Sequence, residues 1–153
     1  GQHRPVWLAV WRRHRPPEPS VSPDRPLPRI EADAPFWVAA ADEELRMQRC
    51  GACGYVRWPP GPVCPECWAE RHEWALLSGE GVVNTWVVFH RVYFPAFAEE
   101  TPYNVAEIEL AEGPRYLAPI RDCPNDAISR GMSVGVRFEH VSETLALPVF
   151  EPR

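Results

Sequence analysis

The sequence predicts a mainly β fold, and three observations support this prediction. Hydrophobic and polar residues alternate after residue 80, as they do in half-buried strands. Five such segments follow one another, separated by turn residues. Four cysteines ahead of them form two Cys-x2-Cys pairs, a spacing typical of a metal-binding ribbon. Together these observations predict an N-terminal arm and short helix, a rubredoxin-like zinc ribbon, and a five-stranded OB-fold barrel.

Residues 1–32 are predicted to form a proline-rich arm or linker. The segment contains seven prolines, which disfavour a regular helix or a central strand. The first 30 residues carry six arginines against two acidic residues, whereas the remainder carries ten arginines against nineteen acidic residues. A basic arm on an acidic body suits an acidic partner surface. We expect Trp7 and Trp11 to anchor the arm.

Residues 33–75 are predicted to form a helix followed by the ribbon. Asp33 is placed to cap the helix, Pro35 suits its first turn, and the helix should end near Glu44. Within the ribbon, residues 55–62 can form a hairpin that brings the two cysteine pairs together.

The four clustered cysteines, Cys50, Cys53, Cys64 and Cys67, are predicted to bind one structural zinc ion. Zinc prefers four ligands in a tetrahedron, and four thiolates leave no position open for catalysis. Two disulfides, iron, or redox-active thiols are the alternatives for the same residues. Cys123 is left over, and a small, buried apolar role is expected for it.

Residues 76–153 are predicted to form the barrel. A short helix is expected at 124–130 with Gly131 as its stop, and Pro148 should place the last strand at an edge. The predicted strands are 81–93, 103–111, 115–121, 134–139 and 144–150.

Aromatic and arginine side chains beside prolines mark candidate contact surfaces. The loop between the first two barrel strands either folds over the barrel end or inserts into a partner, where Tyr, Phe and Arg suit a binding hot spot. A second candidate lies at the ribbon tip. The predicted contacts for a partner or an acyl-CoA are Trp7, Trp11, Arg57, Trp58, Arg91, Tyr93, Phe94 and Phe97.

Several functions are disfavoured by the sequence. It contains no nucleophile elbow, no phosphate-cradling glycine loop and no Cys-His pair close in sequence, so no catalytic residues are predicted. It has no run of about 18 apolar residues, so no membrane span is expected. Clustered cysteines without secretory features predict a cytoplasmic location.

Seven stretches of the chain, taken together, resemble a known family. The most specific are RWPPGPVCPEC at 57–67 and HRVYFPAF at 90–97. The others are 34–37, 45–50, 78–83, 102–106 and 131–132. Over residues 30–150 the chain resembles the zinc-ribbon and OB-fold proteins that accompany thiolases and thiolase-like aldolases, long described as a domain of unknown function.

This resemblance implies a companion subunit that is not catalytic alone. The family includes an archaeal subunit that bridges acetoacetyl-CoA thiolase and hydroxymethylglutaryl-CoA synthase. The chain is more similar to a bacterial form fused behind a MaoC-like hydratase in steroid side-chain degradation, where it binds a lipid-transfer-protein-like aldolase. The resemblance therefore implies a thiolase-fold partner that holds most of the acyl-CoA, and a chain that is the C-terminal part of a longer protein.

Nucleic-acid binding is the alternative function, because zinc ribbons and OB barrels often bind DNA or RNA. Such binding needs a basic groove with stacking aromatic residues. The aromatic residues are present, but the chain after residue 30 has a net charge of −9. The sequence therefore predicts no nucleic-acid partner.

Overall fold

The computed structural model describes residues 25–153, so the predicted contacts Trp7 and Trp11 lie outside the described residues. Helix α1 (Ala34–Ala41) begins as predicted, with Pro35 in its first turn. The Asp33 carboxylate does not cap the helix backbone. It accepts hydrogen bonds from the Trp37 indole at 2.8 Å and from the Glu31 amide at 3.0 Å. Asp33 therefore fixes the orientation of the Trp37 ring.

Helix α1 ends three residues earlier than predicted. The Asp42 amide bonds to the carbonyls of Ala39 and Ala40, and Glu43 has a positive φ of 60°. The Glu44 amide then bonds back to the Ala39 carbonyl. This left-handed residue reverses the chain toward the ribbon, so the helix cannot continue to Glu44.

Three short antiparallel strands form the ribbon: β1 (Arg46–Cys50), β2 (Val56–Arg57) and β3 (His72–Leu76), in the order β2-β1-β3. The predicted hairpin within residues 55–62 is wrong, because β2 pairs with β1 instead. Residues 59, 60 and 62 are prolines, which have no amide hydrogen for a second hairpin strand.

The barrel has five antiparallel strands in the order β6-β5-β4-β7-β8, and this confirms the predicted OB-fold. A parallel bridge between Ile120 and Phe150 joins the two ends of this sheet. Pro148 lies in an edge strand of the sheet, as predicted. The strands are β4 (Glu80–Phe89), β5 (Tyr103–Leu110), β6 (Arg115–Ala118), β7 (Ser133–Ser142) and β8 (Leu145–Pro152).

Strand β5 shows why the alternating pattern was informative. Ala106, Ile108 and Leu110 are buried in the core, and the glutamates between them lie on the other face. Gly81 of β4 faces this row, where an added Cβ would lie 2.7 Å from the Glu109 carbonyl oxygen. The close approach of β4 to β5 therefore requires glycine at this position.

Several predicted elements of the barrel also differ from the structure. Strand β4 ends at Phe89 instead of residue 93, and β6 ends at Ala118 instead of residue 121. The predicted helix at 124–130 is wrong, because the segment forms turns. The Asn125 side chain donates to the Pro102 carbonyl and accepts from the Asn104 side-chain amide, and these two bonds attach the segment to the barrel. These long-range contacts replace the local helical bonds.

Helix, ribbon and barrel share one hydrophobic core. The Phe36 ring of α1 is fully buried, and its centroid lies 4.2 Å from that of Trp58 and 5.7 Å from that of Tyr116. The same core contains Met47 of β1 and Ile108 of β5. The aromatic side chain of α1 therefore joins the ribbon to the barrel.

Candidate metal centre and partner surface

The sulfurs of Cys50, Cys53, Cys64 and Cys67 lie within 4.8 Å of one another. The Cys50–Cys67 and Cys53–Cys64 sulfur pairs are each 3.6 Å apart. A zinc ion at about 2.3 Å from four sulfurs requires sulfur–sulfur separations of about 3.8 Å. The cysteines therefore fit one tetrahedral zinc ion, and all four ligand positions are supplied by the chain.

Two knuckles of the same shape hold the sulfurs. In the first, the Gly54 amide bonds to the Cys50 carbonyl at 3.0 Å. In the second, the Trp68 amide bonds to the Cys64 carbonyl at 2.9 Å. The residue after each cysteine pair has a positive φ, 77° at Gly54 and 62° at Trp68. These turns aim both sulfurs of each pair at the same point.

The backbone of the first knuckle favours a thiolate. The amides of Cys53 and Ala52 donate to the Cys50 sulfur and lower the pKa of its thiol to about 6. Thiolates are the form that binds zinc, so Cys50 is prepared for the metal. At Cys53 the Tyr55 amide lowers the pKa, but the neighbouring thiols raise it overall. Cys50 and Cys64 are buried, whereas Cys53 and Cys67 are exposed. When bound, zinc cross-links the two knuckles of the ribbon.

The loop from His90 to Pro102 joins β4 to β5 and packs against the adjacent ends of these strands. A single turn of 3₁₀-helix (Pro95–Phe97) lies within it. The Phe97 ring stacks on Tyr103 at 5.2 Å, and Tyr103 stacks on Phe89 at 5.0 Å. The ring of Phe94, 51% exposed, lies 6.1 Å from that of Phe97. This aromatic row brings the predicted loop residues next to two strand residues that the sequence did not single out.

A cavity of about 320 Å³ opens beneath this loop. Its lining combines aromatic rings and Val105 with three charged side chains, Arg25, Glu100 and Arg121, which we call the charged rim. We call this the aromatic cavity. It is lined by Arg25, Pro26, Phe89, Phe94, Phe97, Glu100, Tyr103, Asn104, Val105, Pro119 and Arg121.

The charged rim of the aromatic cavity is paired internally. Glu100 accepts from Arg25 at 2.6 Å and from Arg121 at 3.2 Å. Arg121 also donates two hydrogen bonds to Glu139, at 3.0 and 3.1 Å. The Arg25 guanidinium lies 4.5 Å from the centroid of Phe97. Two arginines and two glutamates therefore neutralise one another around an apolar cavity.

The remaining predicted contacts divide into surface and interior residues. Arg91 and Tyr93 are exposed, and the Arg91 guanidinium lies 5.7 Å from the Tyr93 ring centroid. Arg57 is only 5% exposed and donates to the Gly61 carbonyl at 2.8 Å. Trp58 is half-buried against the core. The ribbon-tip residues therefore hold the chain together in this structure, and a contact role for them stays a prediction.

Arg25, Glu100 and Arg121 were missed by sequence reasoning. They lie up to 96 positions apart in sequence and meet only in the folded chain, where Glu100 accepts hydrogen bonds from both arginines. Nothing in their local sequence marks them. Phe89 and Tyr103 could have been found from the sequence, because both are aromatic residues in the two predicted strands that flank the aromatic loop. In the structure they pair across these strands.

A tetrathiolate ribbon fused to an OB barrel defines a class of small metal-binding modules. Family models described as the "ChsH2, rubredoxin-like zinc ribbon domain" and the "ChsH2, C-terminal OB-fold domain" match residues 37–73 and 74–139. The chain belongs to this ChsH2-type DUF35 family, which confirms the predicted resemblance and the structural zinc site.

Known relatives are similar over most of the chain. A "Probable enoyl-CoA hydratase alpha subunit" of Thermomonospora curvata is 40% identical over 84% of this chain, which spans only 40% of that protein's length. A "DUF35 domain-containing scaffold protein" of Methanocaldococcus jannaschii is 38% identical, with 62% of this chain and 67% of that protein covered. A solved structure named "Ltp2-ChsH2(DUF35) aldolase" has a TM-score of 0.76 and 38% identity, over 82% of this chain and 98% of that one.

Between residues 25 and 153, α1 is the longest helix at eight residues, too short to cross a bilayer.

Proposed function

We propose that this chain is a non-catalytic subunit that binds a thiolase-fold acyl-CoA enzyme, either a thiolase or a retro-aldolase. The proposed setting is steroid or fatty-acyl side-chain degradation, and the proposed location is the cytoplasm. The chain stabilises its partner, which carries the chemistry. Its structural zinc holds the ribbon in shape and takes no part in the reaction.

The aromatic cavity is the observation that carries this proposal. Tyr93 and Phe94 are both more than half exposed beside it, on a loop held by the Arg25–Glu100 pair. Exposed aromatic residues around a preformed apolar recess are typical of protein interfaces. Their burial against a partner would remove this apolar surface from water.

The relatives support the same role. The archaeal relative is called a scaffold protein, and the solved structure is called an aldolase with a DUF35 component. The Thermomonospora relative is called a hydratase alpha subunit, and this chain matches only part of it. These names describe a scaffold, an aldolase with a DUF35 component and an enzyme subunit, and each is compatible with the proposed companion role.

The partner is proposed to hold most of the acyl-CoA. Acyl-CoA carries phosphates, which bind best to unpaired arginine or lysine side chains. At the aromatic cavity Arg25 and Arg121 are already paired with Glu100 and Glu139. His90 and Arg91 are exposed at the other end of the loop and remain candidates for a secondary contact.

Nucleic-acid binding is less well supported. The aromatic loop does lie where OB-folds commonly bind oligonucleotides, at the loop between the first two barrel strands. However, residues 76–153 contain six arginines against eleven acidic residues. The barrel therefore repels a phosphate backbone.

The test is co-purification from the native host, followed by reconstitution with the partner that mass spectrometry identifies. Size-exclusion chromatography should show a stable complex with a thiolase-fold protein. Replacing Phe94 and Phe97 together by Ala, or removing residues 1–32, should weaken the complex by about 2–4 kcal/mol if these are hot spots. Retro-aldol or thiolytic activity should fall with binding, and zinc content should stay unchanged.

Val38→Ala is the control, because Val38 is an exposed apolar residue on α1 outside the aromatic cavity. If the altered chains co-elute with the partner and support full turnover, the contact assignment is wrong. If the unaltered chain associates with no thiolase-fold protein, the proposed function fails.

A further inference from the structure

The two zinc knuckles place different residues at the same strained position. Gly54 and Trp68 each follow a Cys-x2-Cys pair, and each donates its amide to the carbonyl of the first cysteine. The Cys50 amide bonds to the Tyr55 carbonyl, and the Cys64 amide bonds to the Ala69 carbonyl. Both positions require a left-handed backbone, which glycine adopts freely and tryptophan rarely adopts. Tryptophan is therefore less favourable than glycine for the left-handed backbone at position 68.

Packing within the chain does not explain Trp68. Its side chain is 77% exposed. Within residues 25–153 its ring makes no ring–ring or cation–π contact. At Gly54, the equivalent position, an added Cβ would meet no atom within 4 Å, so this knuckle position points into open space. Trp68 thus combines backbone strain with an exposed apolar surface, and neither feature stabilises the chain on its own.

The surroundings of Trp68 are acidic. Glu66 and Glu70 are both exposed, and neither forms an ion pair with any residue from 25 to 153. Four thiolates around one Zn²⁺ add a net negative charge at Cys67, next in sequence. Arg71 is the nearest basic residue in the sequence, and its side chain lies over Gly51.

We propose that Trp68, together with Glu66 and Glu70, is a docking site for a basic protein surface, with a partner arginine stacked on the indole ring. Arginine is the side chain that best combines stacking on an aromatic face with pairing to carboxylates. The strain at Trp68 is kept because the contact needs an aromatic ring at this position. This surface is separate from the aromatic cavity and does not depend on the acyl-CoA function.

The first experiment compares the zinc-loaded chain with Trp68→Gly. Glycine suits the left-handed backbone, so we expect one zinc per chain and a thermal midpoint that is unchanged or higher. Loss of zinc or a lower midpoint would show that Trp68 serves the fold, and this would overturn the proposal. Tyr55→Ala is the matched control, because Tyr55 is an exposed aromatic residue on the other knuckle.

The second experiment titrates the same proteins with hexa-arginine, hexa-lysine and hexa-glutamate peptides at low salt, followed by the ¹⁵N–¹H signal of the Trp68 indole. We expect binding in the order arginine, lysine, glutamate. Trp68→Gly should weaken hexa-arginine binding about threefold to fivefold. Replacing Glu66 and Glu70 by Gln should weaken it too, and Tyr55→Ala should not.

Equal binding to the wild type and Trp68→Gly, or no perturbation of the Trp68 signal, would overturn the docking site. These peptides need no thiolase-fold protein, so this result and the outcome for the proposed function are independent.

Discussion

Cys50 and Cys123 have very different surroundings. The Cys50 sulfur lies 3.6 Å from that of Cys67 and accepts the Ala52 amide at 3.3 Å. Cys123 lies outside the four-sulfur cluster and packs against the hydrophobic core, but it is only partly buried, whereas a buried position was predicted. The sequence separated the two roles by spacing alone, because two cysteines separated by two residues can bind the same ion through one short turn.

Cys50→Ala should remove the zinc and unfold the ribbon, because three thiolates leave the tetrahedron incomplete. Metal analysis should find about one zinc per wild-type chain and almost none in the variant. Cys123→Ala is the control and should keep its zinc. An unchanged fold in the Cys50 variant, judged by near-ultraviolet circular dichroism, would contradict a structural role for the metal.

The core face of a strand was predictable where apolar and polar residues alternate. The alternation in β5 identified its core face correctly, because Ala106, Ile108 and Leu110 all point into the barrel. The predictions for residues 55–62 and 124–130 were wrong because long-range partners decide those segments. Residues 56 and 57 pair with β1, and Asn125 bonds across to the barrel. A pattern of neighbouring residues carries no information about partners that lie elsewhere in the chain.

Helix α1 should act as the joint between ribbon and barrel. Phe36→Ala removes a fully buried ring that contacts Trp58 and Tyr116, and we expect it to lower the free energy of unfolding by about 3–5 kcal/mol. Val38→Ala, on the exposed side of the same helix, should change it by less than about 0.5 kcal/mol. Urea unfolding measures both, and similar values for the two variants would show that α1 is not the joint.

At the scale of the whole molecule, the candidate site was only partly predictable. The cysteine cluster and the aromatic loop could be found, because each is local in sequence. The paired rim could not be found, because Arg25, Glu100 and Arg121 meet only in the folded chain. The internal pairing of the rim argues against an anionic ligand in the cavity, because the positive charge that would attract such a ligand is already neutralised.

The charge of the whole molecule predicts weak nucleic-acid binding. Residues 25–153 contain twelve arginines against nineteen acidic residues, so the barrel cannot release counterions from a phosphate backbone efficiently. We expect fluorescence anisotropy to show no submicromolar binding of single-stranded DNA or RNA at physiological salt. Tight binding that weakens steeply with added salt would instead support the nucleic-acid alternative.

Removal of zinc should destabilise the barrel as well as the ribbon. Met47 and Val56 of the ribbon belong to the same core as Ile108 of β5, so loss of the ribbon uncovers barrel residues. We therefore expect a chelator to lower the midpoint of a single unfolding transition and to speed hydrogen exchange at the Ile108 amide. Added zinc should reverse both effects. If the Ile108 amide stays protected while the ribbon amides exchange, the predicted boundary at residues 75 and 76 separates two independently stable domains.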